Sequence, residues 1–426
     1  MPSGRESVVD DLQWRGLIAL STDLDALQAA LATRPLTYYC GFDPTAPSLH
    51  VGNLVQILTM RRLQLAGNSP LALVGGATGL IGDPRPSAER VLNSRDTVAG
   101  WVERIRAQIE PFLDFSGEYA ARMVNNLDWT EPMSAIDFLR EIGKHFRVNK
   151  MIAKDAVSAR LNSEAGISYT EFSYQILQGM DFLELYRQYG CRLQSGGSDQ
   201  WGNLTAGTDL IRRVTGESVH LLATPLITTA SGEKFGKSTG GGGLWLDPGM
   251  TSPYAWYQYF INAEDALVGQ LLRIFTFLDR EEIVALEKET AEKPAARSAQ
   301  RRLAEQVTRL VHGATETDQV IAASQALFGR GDLAALAPAT LGAALTEAGL
   351  AQVSAALPSV AELFRLAGLA SSLGEARRTV AEGGAYVNNG RVTDADAPVS
   401  ADALLHGRWL VLRRGKRTVA GVELLR

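Results

Sequence analysis

The first 240 residues alternate short apolar runs with longer segments in which apolar residues recur every three or four positions. The short runs predict buried strands and the periodic segments predict helices. The predicted strands lie at 36–40, 71–74 and 190–194, and the predicted helices at 53–66 and 171–188. Such alternation is typical of an α/β layer with a parallel sheet. Polar, glycine-rich segments follow the strands, which predicts a ligand site at their carboxyl ends.

The pattern changes after a glycine run at 240–243. Residues from about 248 to 330 have helical periodicity, and an Ala- and Gly-rich stretch then extends to Pro358. Beyond it the pattern predicts two short helices and short strands. We therefore predict four parts, which are a Rossmann-like catalytic domain at 1–245, a helical domain at 246–345, a linker at 346–357 and a small α+β domain at 358–426.

Composition excludes several classes of protein. The chain is 46% hydrophobic and 21% charged, with 41 Gly and 16 Pro, which excludes collagen, coiled coils and wholesale disorder. No apolar run reaches the ~18–20 residues of a membrane helix, and the first residues lack the apolar stretch of a signal peptide. Two Cys and five scattered His predict neither a disulfide framework nor a metal site. We expect a cytoplasmic protein without a metal site.

The net charge of −5 conceals an asymmetry along the chain. Residues 358–426 contain ten Lys and Arg against seven Asp and Glu, whereas the remaining residues contain 32 against 40. A basic module on an acidic body indicates contact with a polyanion. The alternative is a solvated basic face without a partner.

The first candidate for chemistry is His50-Val51-Gly52-Asn53, at the start of a predicted helix. A helix N-terminus presents free N–H groups and a positive dipole end, which suits phosphate. The imidazole can donate to a phosphoryl oxygen as its charge grows. Gly52 lacks a Cβ, so a flat base can approach the backbone. The alternative is a plain turn before a surface helix.

The second candidate is the segment Lys234-Phe235-Gly236-Lys237-Ser238. Two lysines on a Gly-rich loop can clamp a polyphosphate, and the alternative is a flexible basic hairpin. Residues 232–238 read GEKFGKS, which has three residues rather than the four of a P-loop between its glycines. We therefore reject a Walker A motif. The segment 76–82 likewise misses the dinucleotide-binding pattern.

Further polar groups share one face of the predicted helix at 171–188. Tyr174, Gln178 and Asp181 are spaced at i, i+4 and i+7, so a phenol, an amide and a carboxylate lie together. A solvated face is the alternative. The segment 194–203, QSGGSDQWGN, follows a predicted strand and offers groups that suit a ribose or a carboxylate.

In this order along the chain, the motifs resemble those of bacterial tyrosyl-tRNA synthetases, a class I aminoacyl-tRNA synthetase family. Residues 39–45 (YCGFDPT) and 50–53 (HVGN) resemble its tyrosine-binding strand and HIGH signature. Residues 234–238 resemble KMSKS, and 196–203 (GGSDQWGN) match its ribose and carboxylate segment. The resemblance covers essentially the whole chain. It implies a ligase that joins L-tyrosine to ATP, releases pyrophosphate and transfers the tyrosyl group to the 3′ end of tRNA(Tyr).

The resemblance implies roles for the tyrosine-side residues. Tyr39 and Asp181 would hydrogen-bond the phenolic hydroxyl of the substrate. Its ammonium and carboxylate would meet Tyr174, Gln178, Asp83 and Gln200. A bound phenylalanine would leave buried partners unpaired, at a cost of roughly 1–3 kcal/mol each. Tyrosine-specific synthetases are an established example of such rejection without editing, and the sequence suggests no inserted editing domain.

On the ATP side, the resemblance implies that tyrosine's own carboxylate attacks the α-phosphorus, so the protein positions groups and stabilises charge. Mg²⁺ would travel with ATP. The residues expected at the nucleoside are Cys40 and Asp199 at the ribose, Asn53 at a ribose oxygen and Gly52 under adenine, with Gly41 also in the ATP site. Thr45 and His50 are expected at the γ-phosphate, and Lys234 and Lys237 over the pyrophosphate. Asp43 lies nearby without an assigned role.

Two positions depart from the family pattern. Asn53 occupies the fourth position of the HIGH signature, where it can still donate to a ribose oxygen. The loop 84–90 (PRPSAER) is one residue shorter than usual and lacks the common lysine. Arg90 keeps its place, and whether Arg85 substitutes for the lysine stays open.

The segment from about 358 resembles an RNA-binding domain first known from a small-subunit ribosomal protein. The resemblance implies that it grips tRNA away from the acceptor end, and that the enzyme is a homodimer. The candidate phosphate contacts are Arg377, Arg378, Arg391, Arg413, Arg414, Lys416 and Arg417.

Three rival interpretations remain. Tryptophanyl-tRNA synthetases share the implied fold, but Tyr39 paired with Asp181 favours a phenol over an indole. Small nucleotidyltransferases also use an HxGH-type turn, but they do not explain the lysine loop or the RNA-binding part. A non-enzymatic RNA-binding descendant is disfavoured because His50, Lys234, Lys237 and Asp199 are all present.

Overall fold

The computed structural model describes residues 7–84, 91–164, 166–229, 232, 235–236, 243–354 and 357–425, with the backbone alone at 155 and 156. The chain divides into two compact units. The first is Met1–Asp247 with Gly269–Ala285, and the second is Pro248–Val268 with Leu286–Arg426.

The first unit is built on a sheet whose strands are β1 (Leu20–Ser21), β2 (Thr37–Phe42), β3 (Ser69–Val74), β4 (Arg122–Asn125), β5 (Cys191–Gly197) and β6 (His220–Thr224). Among the described residues their order is β1-β6-β5-β2-β3-β4. Only the β1–β6 pair of these is antiparallel. The chain passes from β2 to β3 and β4 on one side and later to β5 and β6 on the other. The strand order thus reverses beside β2, where open α/β sheets bind ligands.

Helices cover this sheet, and the two that carry most candidate residues were predicted nearly to their ends. They are α1 (Val8–Trp14), α2 (Leu24–Thr33), α3 (Val51–Leu65), α4 (Thr78–Ile81), α5 (Arg95–Ile109), α6 (Leu127–Thr130), α7 (Ala135–Asp137), α8 (Val148–Ile152), α9 (Asp155–Leu161), α10 (Tyr169–Tyr189) and α11 (Trp201–Thr215). Ser168 caps α10 by accepting from the Glu171 N–H, and Gly190 ends it in the left-handed conformation. The apolar side of α10, including Met180, Phe182 and Leu183, packs into the core.

The helices that follow are α12 (Pro253–Ile261), α13 (Asp265–Phe275), α14 (Arg280–Glu292), α15 (Ser298–Ala326), which is broken at Gly313, and α16 (Pro338–Ala348). None of the helices in the described residues is long and apolar enough to cross a membrane.

The second unit ends in a second sheet with two helices packed against it. Its elements are β7 (Leu350–Val353), α17 (Val360–Leu366), α18 (Leu373–Ala381), β8 (Ala385–Val387), β9 (Gly390–Arg391), β10 (Trp409–Arg414) and β11 (Thr418–Leu424). The described strand order is β7-β11-β10-β8-β9, and β7 runs parallel to β11. The predicted linker at 346–357 therefore contains an edge strand of this sheet rather than connecting chain alone.

Candidate active site

A cavity of about 280 Å³ opens at the carboxyl ends of β2 and β5, where the strand order predicted a ligand site. The start of α3 and the polar face of α10 complete its wall. Most predicted site residues line it, namely Tyr39, Cys40, Gly41, Thr45, His50, Gly52, Asn53, Asp83, Tyr174, Gln178, Asp181, Asp199 and Gln200.

Tyr39 and Asp181 form the buried end of the cavity. The Tyr39 ring packs 5.2 Å from the ring of Phe182, centroid to centroid. Its hydroxyl is buried and has no hydrogen-bond partner among the described residues. Burial and the neighbouring Asp181 both raise the pKa of Tyr39, so the phenol is neutral. A buried hydroxyl without a partner is uncommon and indicates room for a polar ligand group.

The Asp181 carboxylate is held from behind by two donors. Asn126 Nδ2 donates to Oδ2 at 3.0 Å, and the Trp129 indole Nε1–H donates to Oδ1 at 2.9 Å. Burial raises the pKa of Asp181 to about 8, although both hydrogen bonds oppose the shift. The donors fix the side chain beside the Tyr39 hydroxyl. Asn126 and Trp129 were not predicted from the sequence, because the strand before them, β4, is short and its burial alternates weakly.

Further along the cavity, Tyr174 is fixed by Asp43, the residue without a predicted role. The Tyr174 hydroxyl donates to Asp43 Oδ2 at 2.6 Å, and the Thr78 hydroxyl donates to Oδ1 at 2.6 Å. Burial, followed by the Asp43 charge, raises the pKa of Tyr174 well above its usual range. The Tyr174 oxygen therefore keeps its proton and can still accept a hydrogen bond. Gln178, one turn further on α10, has a buried Oε1 without a partner in the described chain.

Asp83 and Gln200 meet on the neighbouring side of the cavity. Gln200 Nε2 donates to Asp83 Oδ2 at 3.3 Å, and Asn203 Nδ2 donates to Asp83 Oδ1 at 3.1 Å. The Asn203 amide also donates to Gln200 Oε1 at 2.9 Å. The three side chains form one polar cluster, of which sequence reasoning had assigned roles only to Asp83 and Gln200.

The N-terminus of α3 forms the opposite wall. His50 Nδ1 accepts from the Gly52 N–H at 3.0 Å, and Asn53 Oδ1 accepts from the His50 N–H at 3.1 Å. Because Nδ1 is an acceptor, the proton of the neutral ring is on Nε2. His50 thus offers an N–H donor at the positive end of the helix dipole. Asn53 closes the capping box, a structural role that the sequence analysis did not foresee.

Part of the predicted lysine loop packs against α3. The Leu244 N–H donates to the Gly236 carbonyl at 2.8 Å, and the Val51 N–H donates to the Leu244 carbonyl at 2.9 Å. The Phe235 ring stacks on Phe275 with 6.0 Å between centroids. Lys234 and Lys237 themselves, like Arg85 and Arg90, lie outside the described residues.

Of the residues expected near the ribose, Cys40 lies on β2 and Asp199 lies just after β5. Burial raises the pKa of the Cys40 thiol to about 12, so it is a neutral group rather than a thiolate. Asp199 is exposed at the cavity wall. Gln56 on α3 also lines the wall, donates to the Thr224 hydroxyl at 2.5 Å, and was not predicted. No group of three acidic, His or Cys side chains among the described residues could hold a metal ion.

The predicted RNA contacts fall into two groups. Arg377 pairs with Asp396 and Arg414 with Glu375, while Arg413 is buried with its guanidinium 4.1 Å above the Tyr386 ring. Arg413 therefore serves the packing of its own domain. The other predicted contacts, which are Arg378, Arg391, Lys416 and Arg417, are exposed, as is the paired Arg377.

Comparison with known proteins agrees with this geometry. A family model described as tRNA synthetases class I (W and Y) matches residues 31–329. A second model, described as a tyrosine–tRNA ligase SYY-like C-terminal domain, matches residues 345–420. The fold is thus that of a class I aminoacyl-tRNA synthetase, which confirms the predicted α/β fold class.

Individual relatives show which kind of class I synthetase the chain resembles. The chain is 67% identical to a tyrosine–tRNA ligase of Streptomyces avermitilis, covering 98% of this chain and 99% of the relative, and 65% identical to that of Streptomyces coelicolor, covering 98% and 99%. A C-terminally truncated mitochondrial tyrosyl-tRNA synthetase of Coccidioides posadasii shares 31% identity at a TM-score of 0.66, covering 74% of this chain and 91% of that one. The chain therefore belongs to the tyrosine–tRNA ligase family. The predicted enzyme class, an aminoacyl-tRNA ligase, is confirmed.

Proposed function

We propose that this chain activates L-tyrosine with MgATP, forming tyrosyl-adenylate and pyrophosphate, and then transfers the tyrosyl group to tRNA(Tyr). The observation that carries the substrate assignment is the buried Tyr39 hydroxyl beside Asp181, which has no hydrogen-bond partner in the part of the chain that the structure describes. A substrate phenol can donate to an Asp181 carboxyl oxygen and accept from Tyr39, which satisfies both groups. Phenylalanine satisfies neither, and an indole N–H cannot accept from Tyr39.

The ammonium of tyrosine binds further along α10. Tyr174 donates its own proton to Asp43, so its oxygen accepts from the ammonium. Gln178 Oε1 supplies a second acceptor, and the Asp83 carboxylate supplies the compensating charge. Gln200, hydrogen-bonded to Asp83, meets the carboxylate of the substrate. Each group accepts or donates in the sense that an α-amino acid requires.

In the first step, an oxygen of the tyrosine carboxylate attacks the α-phosphorus. The new bond is a mixed anhydride, and the bond from the α-phosphorus to its bridging oxygen breaks as pyrophosphate leaves. Negative charge grows on the departing phosphates, where the His50 Nε2–H and the α3 N-terminus act as donors, with Thr45 alongside. Lys234 and Lys237 would close over the same phosphates. Mg²⁺ belongs to the ATP substrate and neutralises phosphate charge.

The remainder of the chain serves tRNA. We assign 1–245 to catalysis and the basic part at 358–426 to RNA binding. The helices predicted as a separate domain at 246–345 belong to the second unit, except that Gly269–Ala285 belongs to the first. The segment 346–357 supplies β7 to the sheet of the basic part. Exposed basic residues of the last part supply phosphate contacts, and the predicted ones without an ion pair in the described structure are Arg378, Arg391, Lys416 and Arg417.

A homodimer in the cytoplasm is the proposed working form. Five exposed apolar side chains lie within residues 136–161 of the first unit, which are Ile136, Leu139, Val148, Ile152 and Leu161. Large apolar residues grouped on a surface indicate a protein interface, and identical chains most often pair about a two-fold axis.

The test of this function is exchange of labelled pyrophosphate into ATP by the full chain, without tRNA, with tyrosine, phenylalanine or tryptophan supplied separately. Exchange with tyrosine alone is the expected result. Exchange with tryptophan instead of tyrosine would indicate a tryptophan-specific synthetase. Absence of exchange with every amino acid would contradict adenylate formation and bring an RNA-binding role forward.

A further inference from the structure

Lys154 lies on the short loop between α8 and α9 and reaches the beginning of α11. Its Nζ donates to the Gly202 carbonyl and, at 3.1 Å, to Asn203 Oδ1. A Cβ on residue 202 would lie only 3.3 Å from both Cε and Nζ of the lysine, so glycine permits the close approach. No family motif contained this lysine, and the mechanism above does not use it.

Asn203 connects the lysine to the cavity. Its Oδ1 faces Lys154, and its Nδ2 donates to Asp83 Oδ1 and Gln200 Oε1 at 3.1 and 2.9 Å. An amide has one accepting and one donating end. The ammonium therefore decides which end faces the cavity. The opposite orientation would set an NH₂ against the ammonium and a carbonyl oxygen against the Asp83 carboxylate, which is repulsive at both ends.

The surroundings of the Lys154 amine are poorly hydrated. Burial lowers the pKa of Lys154 to about 7, while the Asp83 carboxylate acts in the opposite direction. A poorly hydrated ammonium depends on its protein acceptors, since hydrogen bonds strengthen where the local dielectric is low. Lys154, Asn203, Asp83 and Gln200 thus form one continuous chain of polar contacts.

We propose that Lys154 is a positioning residue for tyrosine binding, which acts through Asn203 to hold Asp83 and Gln200 in the orientation that receives the ammonium and carboxylate of the amino acid. This inference rests on the roles proposed above for Asp83 and Gln200. It gives the α8–α9 loop, which lies outside the sequence motifs, a direct influence on the affinity for tyrosine. ATP contacts on α3 are not part of this polar chain.

The test uses the full chain with Lys154→Met, which keeps an unbranched side chain but removes the charge and the donors. In pyrophosphate exchange, the KM for tyrosine should rise about tenfold, as expected for a lost charge-assisted hydrogen bond. The KM for ATP should stay within about twofold of the wild type. Lys150→Met, four residues earlier and exposed, is the matched control and should leave both constants unchanged.

A double-mutant cycle separates positioning from general support. If Lys154 acts through Asn203, the double variant K154M/N203A should raise the KM for tyrosine no more than N203A alone. The proposal would be overturned if the effects of K154M and N203A on the KM for tyrosine were additive, or if K154M left that KM unchanged. It would also be overturned if K154M raised the KM for tyrosine and the KM for ATP equally and lowered the unfolding midpoint. If K154M does not fold, Asn203→Ser should show the same selective rise, and its absence would be equally decisive. Loss of tyrosine-dependent exchange in the wild type would instead refute the proposed function itself.

Discussion

The Tyr39 hydroxyl shows how one side chain can weaken the free protein and serve the complex. It is buried without a partner among the described residues, and an unsatisfied buried hydroxyl costs free energy. Tyr39→Phe should therefore leave the unfolding midpoint equal or higher. Tyrosine-dependent exchange should lose about tenfold in kcat/KM, because the substrate phenol loses one hydrogen bond of about 1.4 kcal/mol. Parallel losses of stability and activity would indicate a purely structural hydroxyl.

Asp181 makes the free energy of unfolding depend on pH. Burial raises its pKa to about 8, whereas an aspartate in an unfolded chain titrates near 3.9. Between about pH 4 and 8 the folded chain holds a proton that the unfolded chain has released, so this residue makes the free energy of unfolding fall as pH rises. Asp181→Asn removes that dependence.

The expected result is that the stability of D181N relative to the wild type rises steadily from pH 5 to pH 8 and levels off above. The measurement is denaturant unfolding at a series of pH values in the absence of tyrosine. Curves that stay a constant distance apart would show that the carboxylate is already ionised in the folded protein at pH 5.

Helices with long periodic apolar patterns could be predicted from the sequence. Residues whose role depends on a contact with a distant part of the chain could not. Helices α3 and α10 were found within two residues at each end, because apolar spacing and flanking polar residues report on local structure. Asn126 and Trp129, which hold Asp181, follow a four-residue strand with no such pattern. Asn203 belongs to a recognised motif, but its role could not be predicted from the sequence. That role depends on Lys154, which is nearly fifty residues away along the chain.

The junction between α3 and the lysine loop gives an element-scale prediction. Gly236 has a φ of +89°, and a Cβ there would lie 2.2 Å from Val51 Cγ1. Gly236→Ala must therefore push the loop away from the helix that holds His50. We expect kcat for pyrophosphate exchange to fall at least tenfold, while the KM for tyrosine changes less than about twofold.

Gly232→Ala is the matched control for this substitution. Gly232 has a similar φ of +83°, and no atom of the described residues lies within 4 Å of the added Cβ. Its variant therefore carries the backbone strain, about 1 kcal/mol, without the clash against Val51. Equal losses in the two variants would attribute the effect to strain in the loop rather than to its contact with α3.

At the scale of the whole molecule, the boundary of the basic domain is where sequence composition misled most. The excess of basic residues and the pattern of short elements predicted that this domain starts at 358, but β7 pairs with β11 across that boundary. Strand pairing between distant segments has no local sequence signature. A truncation before 358 would remove the partner of β7 as well as the basic residues. Point substitutions on the intact chain therefore test the role of this domain more cleanly than deletion.

The variant R378E/K416E/R417E reverses three exposed charges of this domain without touching its core. If these residues contact tRNA phosphates, the KM for tRNA in aminoacylation should rise at least tenfold and its dependence on salt should become shallower, because fewer counterions are released on binding. Pyrophosphate exchange without tRNA should be unchanged. Arg34→Glu, an exposed charge reversal in the first unit, controls for the effect of a reversed surface charge outside this domain. A normal KM for tRNA with an unaltered salt slope in the triple variant would assign the basic surface to solvent and leave tRNA binding to other parts of the chain.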